Sequence, residues 1–300
     1  MDLLQILFPV AGITTYVFIP PVVAFIFSFF TSMAGISGAF LLLPFQMSIL
    51  GFTTTSVTPT NFLFNAAGTP GGVYRYIKEC RFAWPVALII IVGIVPGVLI
   101  GYYIRIIYLP DPRAFKFFVG VVLMLLFVKL LIDVRKGKPA KKEERRCQIS
   151  GGVENVSIRL TNGRFDFQGK THSFSTAGLL ALSSAVGVIG GIYGIGGGSI
   201  IAPFLITVFQ LPIYAVAGAV LLGTFVSSVA GVIFYSTIPI DGAVAGPDWL
   251  LGILFGAGGL LGMYFGAKMQ KYISETWIKL ALGIIVFTIA SKYIWRFFYE

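Results

Sequence analysis

A chain of 300 residues that is 57% hydrophobic and only 11% charged, with mean hydropathy +0.90, cannot clothe a soluble surface; soluble domains carry roughly 25% charged residues. This composition excludes a cytosolic enzyme, a disordered segment, a collagen-like repeat and a disulfide scaffold, and leaves an integral membrane protein. Half of the formal net charge of +10 lies between residues 133 and 170 and the rest flanks helices, so it indicates positive-inside topology and attraction to anionic membrane lipid, not a nucleic-acid partner.

Residues 1–16 are apolar but short, and no basic n-region precedes them. No cleaved signal peptide is expected, and the segment is read as lying along the membrane interface. Asp, Glu, Lys and Arg are absent between Asp2 and Arg75 and again between Lys170 and Asp241. A helical crossing needs about 20 apolar residues, so each run holds two crossings and a shorter segment. The first half reads as hydrophobic segments at 17–33, 38–50, 55–74, 84–104 and 114–134. The second reads as 174–191, 197–210, 213–236, 247–268 and 276–298. In each half the second segment is too short to span, follows a glycine cluster and contains a proline (Pro44, Pro203). Such a helix is broken or re-entrant and needs protein or water around it.

The halves are internal copies. Shifted by 159 residues, Gly35, Ile36, Gly38, Pro44 and Phe45 fall on Gly194, Ile195, Gly197, Pro203 and Phe204, and Gly72, Val73 and Tyr76 on Gly231, Val232 and Tyr235. With small gaps, Gly93, Gly97 and Gly101 match Gly258, Gly262 and Gly266. The loop bearing Arg75, Lys78 and Arg81 is basic, whereas its counterpart 237–248 has two Asp and no Lys or Arg. Equivalent loops thus prefer opposite sides, as inverted repeats with an odd number of crossings require. The expected fold is all-α and polytopic, five segments plus five, inverted, with both termini outside. Four plus four with re-entrant hairpins is the alternative. The chain divides into a first repeat (1–134), a cytosolic polybasic loop (135–172) and a second repeat (173–300).

The loop holds ten Lys or Arg and also Asn162-Gly163 flanked by alternating residues, the signal of a type I′ hairpin. That turn pairs Leu160 with Phe165 and Ile158 with Phe167, and faces Arg159 to Asp166. Cys80 and Cys147 fall in basic loops and are read as free thiols. His172 is an interface residue at the edge of a span.

No GxSxG, HExxH or CxxC occurs, and GIGGG lacks the Lys-Ser/Thr of a phosphate loop. No catalytic residue, metal site or cofactor is therefore assigned, and the chain is not read as an enzyme. The clusters Gly35, Ser37, Gly38, Ala39 and Gly194, Gly196, Gly197, Gly198, Ser199 each precede a half-length helix. Glycine admits close backbone approach, and a helix N-terminus offers unpaired N–H groups, so two such ends meeting would hold a small anion without a charged side chain. Asn61, Asn65, Thr224, Ser227 and Ser228 lie in the third segments, and polar groups there line a cavity or bond between helices. The Gly93 and Gly258 series serve close helix packing. No acid lies mid-segment, which favours an anionic substrate.

The duplicated glycine–aliphatic–Pro–Phe pattern, with a helix ending Gly-Val-x-x-Tyr, resembles the sulfite exporter TauE/SafE family over nearly all of both halves. Gly194–Phe204 matches best; Ser37 and Ala39 depart from the glycine-rich form. The resemblance implies a multi-pass protein of a prokaryotic plasma (inner) membrane. It implies transport, by export, of a small sulfur-containing anion such as sulfite or an organosulfonate, through alternating access of the two repeats. The alternatives are a passive anion channel, or a membrane scaffold recruiting a partner through 135–172. A homo-oligomer is compatible with all three.

Overall fold

The computed structural model describes residues 4–33, 37–78, 82–136, 154–158, 162–167, 170–209, 211, 213–240, 242, 244–269 and 275–299. Gly35, both cysteines, Asp241 and the polybasic run beyond residue 136 fall outside them.

Strands β1 (Gln5–Phe8) and β2 (Ile13–Tyr16) form an antiparallel hairpin where an interfacial segment was expected. The alternation of Ile13 and Thr15 (buried) with Thr14 (exposed) is that of a strand. Then come α1 (Ile19–Met33), the half-helix α2 (Ala39–Ser48), α3 (Val57–Gly68), α4 (Pro70–Lys78), α5 (Trp84–Ile107) and α6 (Pro112–Lys136). The second half holds α7 (Thr176–Tyr193), the half-helix α8 (Gly198–Thr207), α9 (Ile213–Thr237), α10 (Trp249–Met269) and α11 (Glu275–Tyr299). Among the described residues, six helices are long and apolar enough to cross a membrane, and α1 and α2 are shorter apolar helices. At ten residues each, α2 and α8 extend only about 15 Å.

One expected segment divides. Residues 55–74 form α3 and α4, separated at Thr69. Pro70 has no N–H to continue the ladder, and it opens α4 instead. Its counterpart α9 has no proline there and runs unbroken.

The halves are interlocked and inverted. The most extensive packing sets the first helix of each half against the fourth of the other, α1 on α10 and α7 on α5. Glycines make both contacts possible. A Cβ at Gly97 or Gly101 would stand 2.8 Å from the Gly187 or Gly191 Cα, and one at Gly262 would stand 3.0 Å from the Phe25 Cα. These are backbone-to-backbone approaches that no other residue permits. Equivalent helices, by contrast, pack antiparallel. Along α6 and α11, Phe117 stacks on Phe297, Gly120 meets Tyr293 and Phe127 meets Phe287. Along α3 and α9, Phe62 meets Gly231 and Tyr235, while Gly72 in α4 meets Leu221. A two-fold axis along the membrane normal would leave equivalent helices parallel. Antiparallel pairs require an axis in the membrane plane.

The outer surface is as apolar as the core. On α5, Leu88, Val92, Ile100 and Tyr103 are exposed while Ile90, Ile94, Val98 and Tyr102 are buried, so the helix is greasy on both faces. Trp84 and Trp249, exposed at the starts of α5 and α10, suit the headgroup level on opposite sides.

Strands β3 (Glu154–Ile158), β4 (Asn162–Phe167) and β5 (Lys170–Ser175) form an antiparallel sheet in that order. The expected hairpin is present, with a third strand and a different register. Asn162 and Gly163 lie inside β4, and Ile158 pairs with Gly163, not Phe167. Phe165 pairs with His172 and Asp166 with Thr171. The alternation that signals β4 continues on its C-terminal side into β5. That pairing buries Phe165 and Phe174, which the turn at Asn162 would have left uncovered. His172 thus belongs to β5, its ring 5.6 Å from that of Phe165. Leu160 and Arg159 lie outside the described residues. Ser175 ends β5 and caps α7, its Oγ accepting from Gly178 N–H at 3.1 Å.

Candidate functional site

Helix α7 stops at Gly194 (φ +83°), and Gly196 (φ +76°) and Gly197 (φ +54°) carry the chain to α8. Three left-handed positions in four residues are open to glycine but strained for any other residue. This turn exposes the carbonyls of Gly194, Ile195 and Gly196, which need donors inside an apolar interior.

Helix α3 of the other half supplies two of them. Thr58, Asn61 and Asn65 follow at i, i+3 and i+7, so they share one face. Asn65 Nδ2 donates to the Ile195 carbonyl at 2.7 Å, and its Oδ1 accepts from Ser37 Oγ at 2.6 Å. Asn61 Nδ2 donates to the carbonyls of Ala39 (3.1 Å) and Gly194 (3.2 Å), and its Oδ1 accepts from Gln46 Nε2 at 3.4 Å. Two asparagines therefore hold the start of α2 and the break before α8 together. From α9, Ser227 Oγ donates to the Gly196 carbonyl at 2.9 Å. Thr224 donates back to Val220, one turn earlier in its own helix.

The described candidates thus meet in one place. Ser37, Asn61, Asn65, Thr224, Ser227 and Ser228 are all buried. Gly38 packs on Ser28 of α1, with a Cβ there 2.9 Å from the Ser28 Oγ. Ala39 contributes its carbonyl to Asn61. Gly198 begins α8 against Thr224, and Ser199 is the next residue of α8. The cluster is closed around itself, and Asn61 and Asn65 act here as interhelical ties. Two of its polar atoms stay buried without a partner, Ser228 Oγ and Gln46 Oε1.

The sequence reading missed several participants. Gln46 is fully buried in α2, where one amide in an apolar helix was the available signal. Tyr193 donates to the Phe40 carbonyl at 2.8 Å, and Tyr235 to the Gly191 carbonyl at 3.0 Å. Both tie the α7 end to its surroundings. Arg105 is also completely buried, at the end of α5. Outside the cluster, Asp248 caps α10 by accepting from Leu251 N–H (3.1 Å), and it accepts from Ala11 N–H (3.2 Å) of the β1–β2 connection. Its own N–H donates to Thr60 Oγ1.

Interlocked inverted repeats, each with a glycine-broken half-helix at a shared buried polar centre, define the architecture of a membrane transporter. The comparisons agree. The family model described as "Sulfite exporter TauE/SafE" matches residues 21–293. A curated relative, the probable membrane transporter protein YunE of Bacillus subtilis (strain 168), is 24% identical over 274 residues, covering 88% of this chain and 92% of its own. No solved structure matches. The chain belongs to the sulfite exporter TauE/SafE family, and it is a multi-pass integral membrane transporter.

Proposed function

We propose that the protein exports a small sulfur-containing anion, sulfite or an organosulfonate, by alternating access between repeats 1–134 and 173–300, with 135–172 as the connecting loop. The half-helix ends at Gly35–Ala39 and Gly194–Ser199 would hold the anion. Asn61, Asn65 and Ser227 would exchange their bonds to the break for bonds to the anion as the centre opens, and Thr224 and Ser228 would line the path. The observation that carries the reading is the pair of asparagine ties across the repeat interface, made to the break itself. Bonds of that kind can be broken and remade when the tightly packed pairs α5–α7 and α1–α10, each joining one helix of either half, tilt against each other. The family description supplies the anion class, and the lack of a buried acid at the cluster among the described residues agrees with it.

The test is flux of labelled sulfite and of labelled taurine in proteoliposomes holding the full chain. Saturable flux with counterflow is expected. Flux that equals that of empty liposomes for both anions contradicts the reading, and non-saturable flux without counterflow makes the protein a channel.

A further inference from the structure

We propose that Arg105 is an anion-binding residue on the substrate path, engaging an oxygen of a small oxyanion through Nη2 next to the glycine break of the second repeat. The inference deepens the transport reading above and rests on it for the substrate class.

Arg105 is wholly buried in a membrane-spanning helix, where an ionisable group is costly and faces the protein interior. Its fork is held on three sides. Nε donates to Thr58 Oγ1 at 3.3 Å, one terminal nitrogen donates to the Leu109 carbonyl, and the Phe115 ring lies 3.7 Å from the guanidinium carbon. The second terminal nitrogen, Nη2, is buried with no partner. Among the described residues no carboxylate pairs with this guanidinium. Local helix geometry accounts for part of the charge, because the Leu109 carbonyl belongs to the turn that ends α5. It does not account for a desolvated, immobilised edge with two hydrogens aimed at nothing. Buried charges are paired, and breaking such a pair is far more costly than never forming it. A nitrogen held this firmly and left open is a preformed donor for a charge-assisted bond to an anion oxygen.

Its position points to the same partner. α5 and α7 run parallel, with Gly97 beside Gly187 and Gly101 beside Gly191. The next turn of α5 brings Arg105 beside the last turn of α7, just before the break. Thr58 confirms the level, because it accepts from Arg105 and donates to the Ile192 carbonyl at 3.2 Å. Thr58 is followed one turn along the same face of α3 by Asn61, which holds Gly194. Arg105, Thr58, Asn61 and Asn65 therefore form a continuous row of donors leading to the two clusters. An anion bearing several oxygens on one atom, such as a sulfite or sulfonate group, can seat one oxygen on Nη2 while the others face the donor row, a reach that chloride lacks.

The test uses the full chain in two arms, with wild type, Arg105→Gln and Arg105→Lys. In proteoliposomes, Arg105→Gln is expected to raise KM for sulfite at least tenfold with a smaller change in turnover, and Arg105→Lys to fall between. In detergent at constant ionic strength, sulfite and methanesulfonate are expected to raise the wild-type unfolding midpoint above its value in chloride. That increment should vanish in Arg105→Gln. An unchanged KM and an unchanged increment in Arg105→Gln overturn the proposal. If Arg105→Gln does not fold, Arg105→Lys decides, since it keeps the charge but not the fork, and wild-type behaviour overturns the proposal. A wild type that carries neither anion overturns the substrate reading alone. The detergent arm, extended to phosphate and nitrate, then judges Arg105 by itself: an oxyanion increment that requires Arg105 supports the site, and none requiring it removes the site.

Discussion

The two halves share a plan but divide the work at the centre differently. In the first half the third segment is split by Pro70, and its α3 portion carries Thr58, Asn61 and Asn65, all reaching into the other half. In the second half the third segment is the unbroken α9, whose Thr224 and Ser227 bond to their own half. The glycines are distributed the other way. The second half has left-handed Gly194, Gly196 and Gly197 before α8, whereas the first has Ser37 where Gly196 stands, and Gly38, the match of Gly197, is right-handed (φ −64°). One repeat thus provides the flexible break with its bare carbonyls, and the other provides the donors that satisfy it. Duplication supplied the scaffold, and divergence between the copies built the polar centre.

The packing part of this comparison predicts equality. Gly101→Leu and Gly266→Leu should be equally severe, because each drives a side chain into the backbone of the partner's first helix. Each should cost about 3 kcal/mol or more, read as loss of the monodisperse detergent-solubilised species. A large difference between them would mean the α5–α7 and α1–α10 contacts are not equivalents.

The polar centre predicts inequality. Asn65→Leu leaves the Ile195 carbonyl without its donor and takes from Ser37 Oγ its bond to Asn65, and should cost about 2 kcal/mol, with flux at least tenfold lower. Thr224→Val, its positional equivalent, removes only a bond within α9. It should cost about 0.5 kcal/mol or less. Equal losses of thermal stability in the two variants would remove the division of labour.

The fourth helices differ more mildly. α10 starts on Asp248, which accepts two backbone N–H groups, whereas α5 starts on Ala83 with no side-chain cap. Asp248→Ala should therefore lower stability by about 1–2 kcal/mol, with Ala83→Ser near neutral, both followed by thermal unfolding. Ser175→Ala should cost only about 0.5–1 kcal/mol, since that cap is exposed.

Much of this fold was legible because a membrane simplifies the reading. Charge-free runs and the 159-residue shift place the helices to within a few residues, and Lys/Arg asymmetry anticipates the inversion that antiparallel α6–α11 packing displays. The glycine clusters stand out because nothing else tolerates the conformations of Gly196 and Gly197. What could not be read was pairing. Nothing near Asn61 in the sequence says that its amide meets Gly194, which lies 133 residues away. Arg105 looks like an ordinary cation at a helix end until its burial against Phe115 is known. In the sheet, Asn162-Gly163 is a strong turn signal that lost to the pairing of β4 with β5, because register is decided by which aromatic faces become covered.

The central claim is that transport passes through the asparagine-held break between the inverted halves. It is tested most directly by sulfite counterflow in proteoliposomes for wild type, Gly197→Leu and the outward-facing control Val92→Leu. Gly197 has φ +54°, and a Cβ there would lie 2.9 Å from the tip of Ile94, while Val92 is 62% exposed on the lipid side. The account predicts saturable counterflow in wild type and Val92→Leu, and at least a tenfold loss in Gly197→Leu protein that still folds. Full counterflow in Gly197→Leu would contradict it.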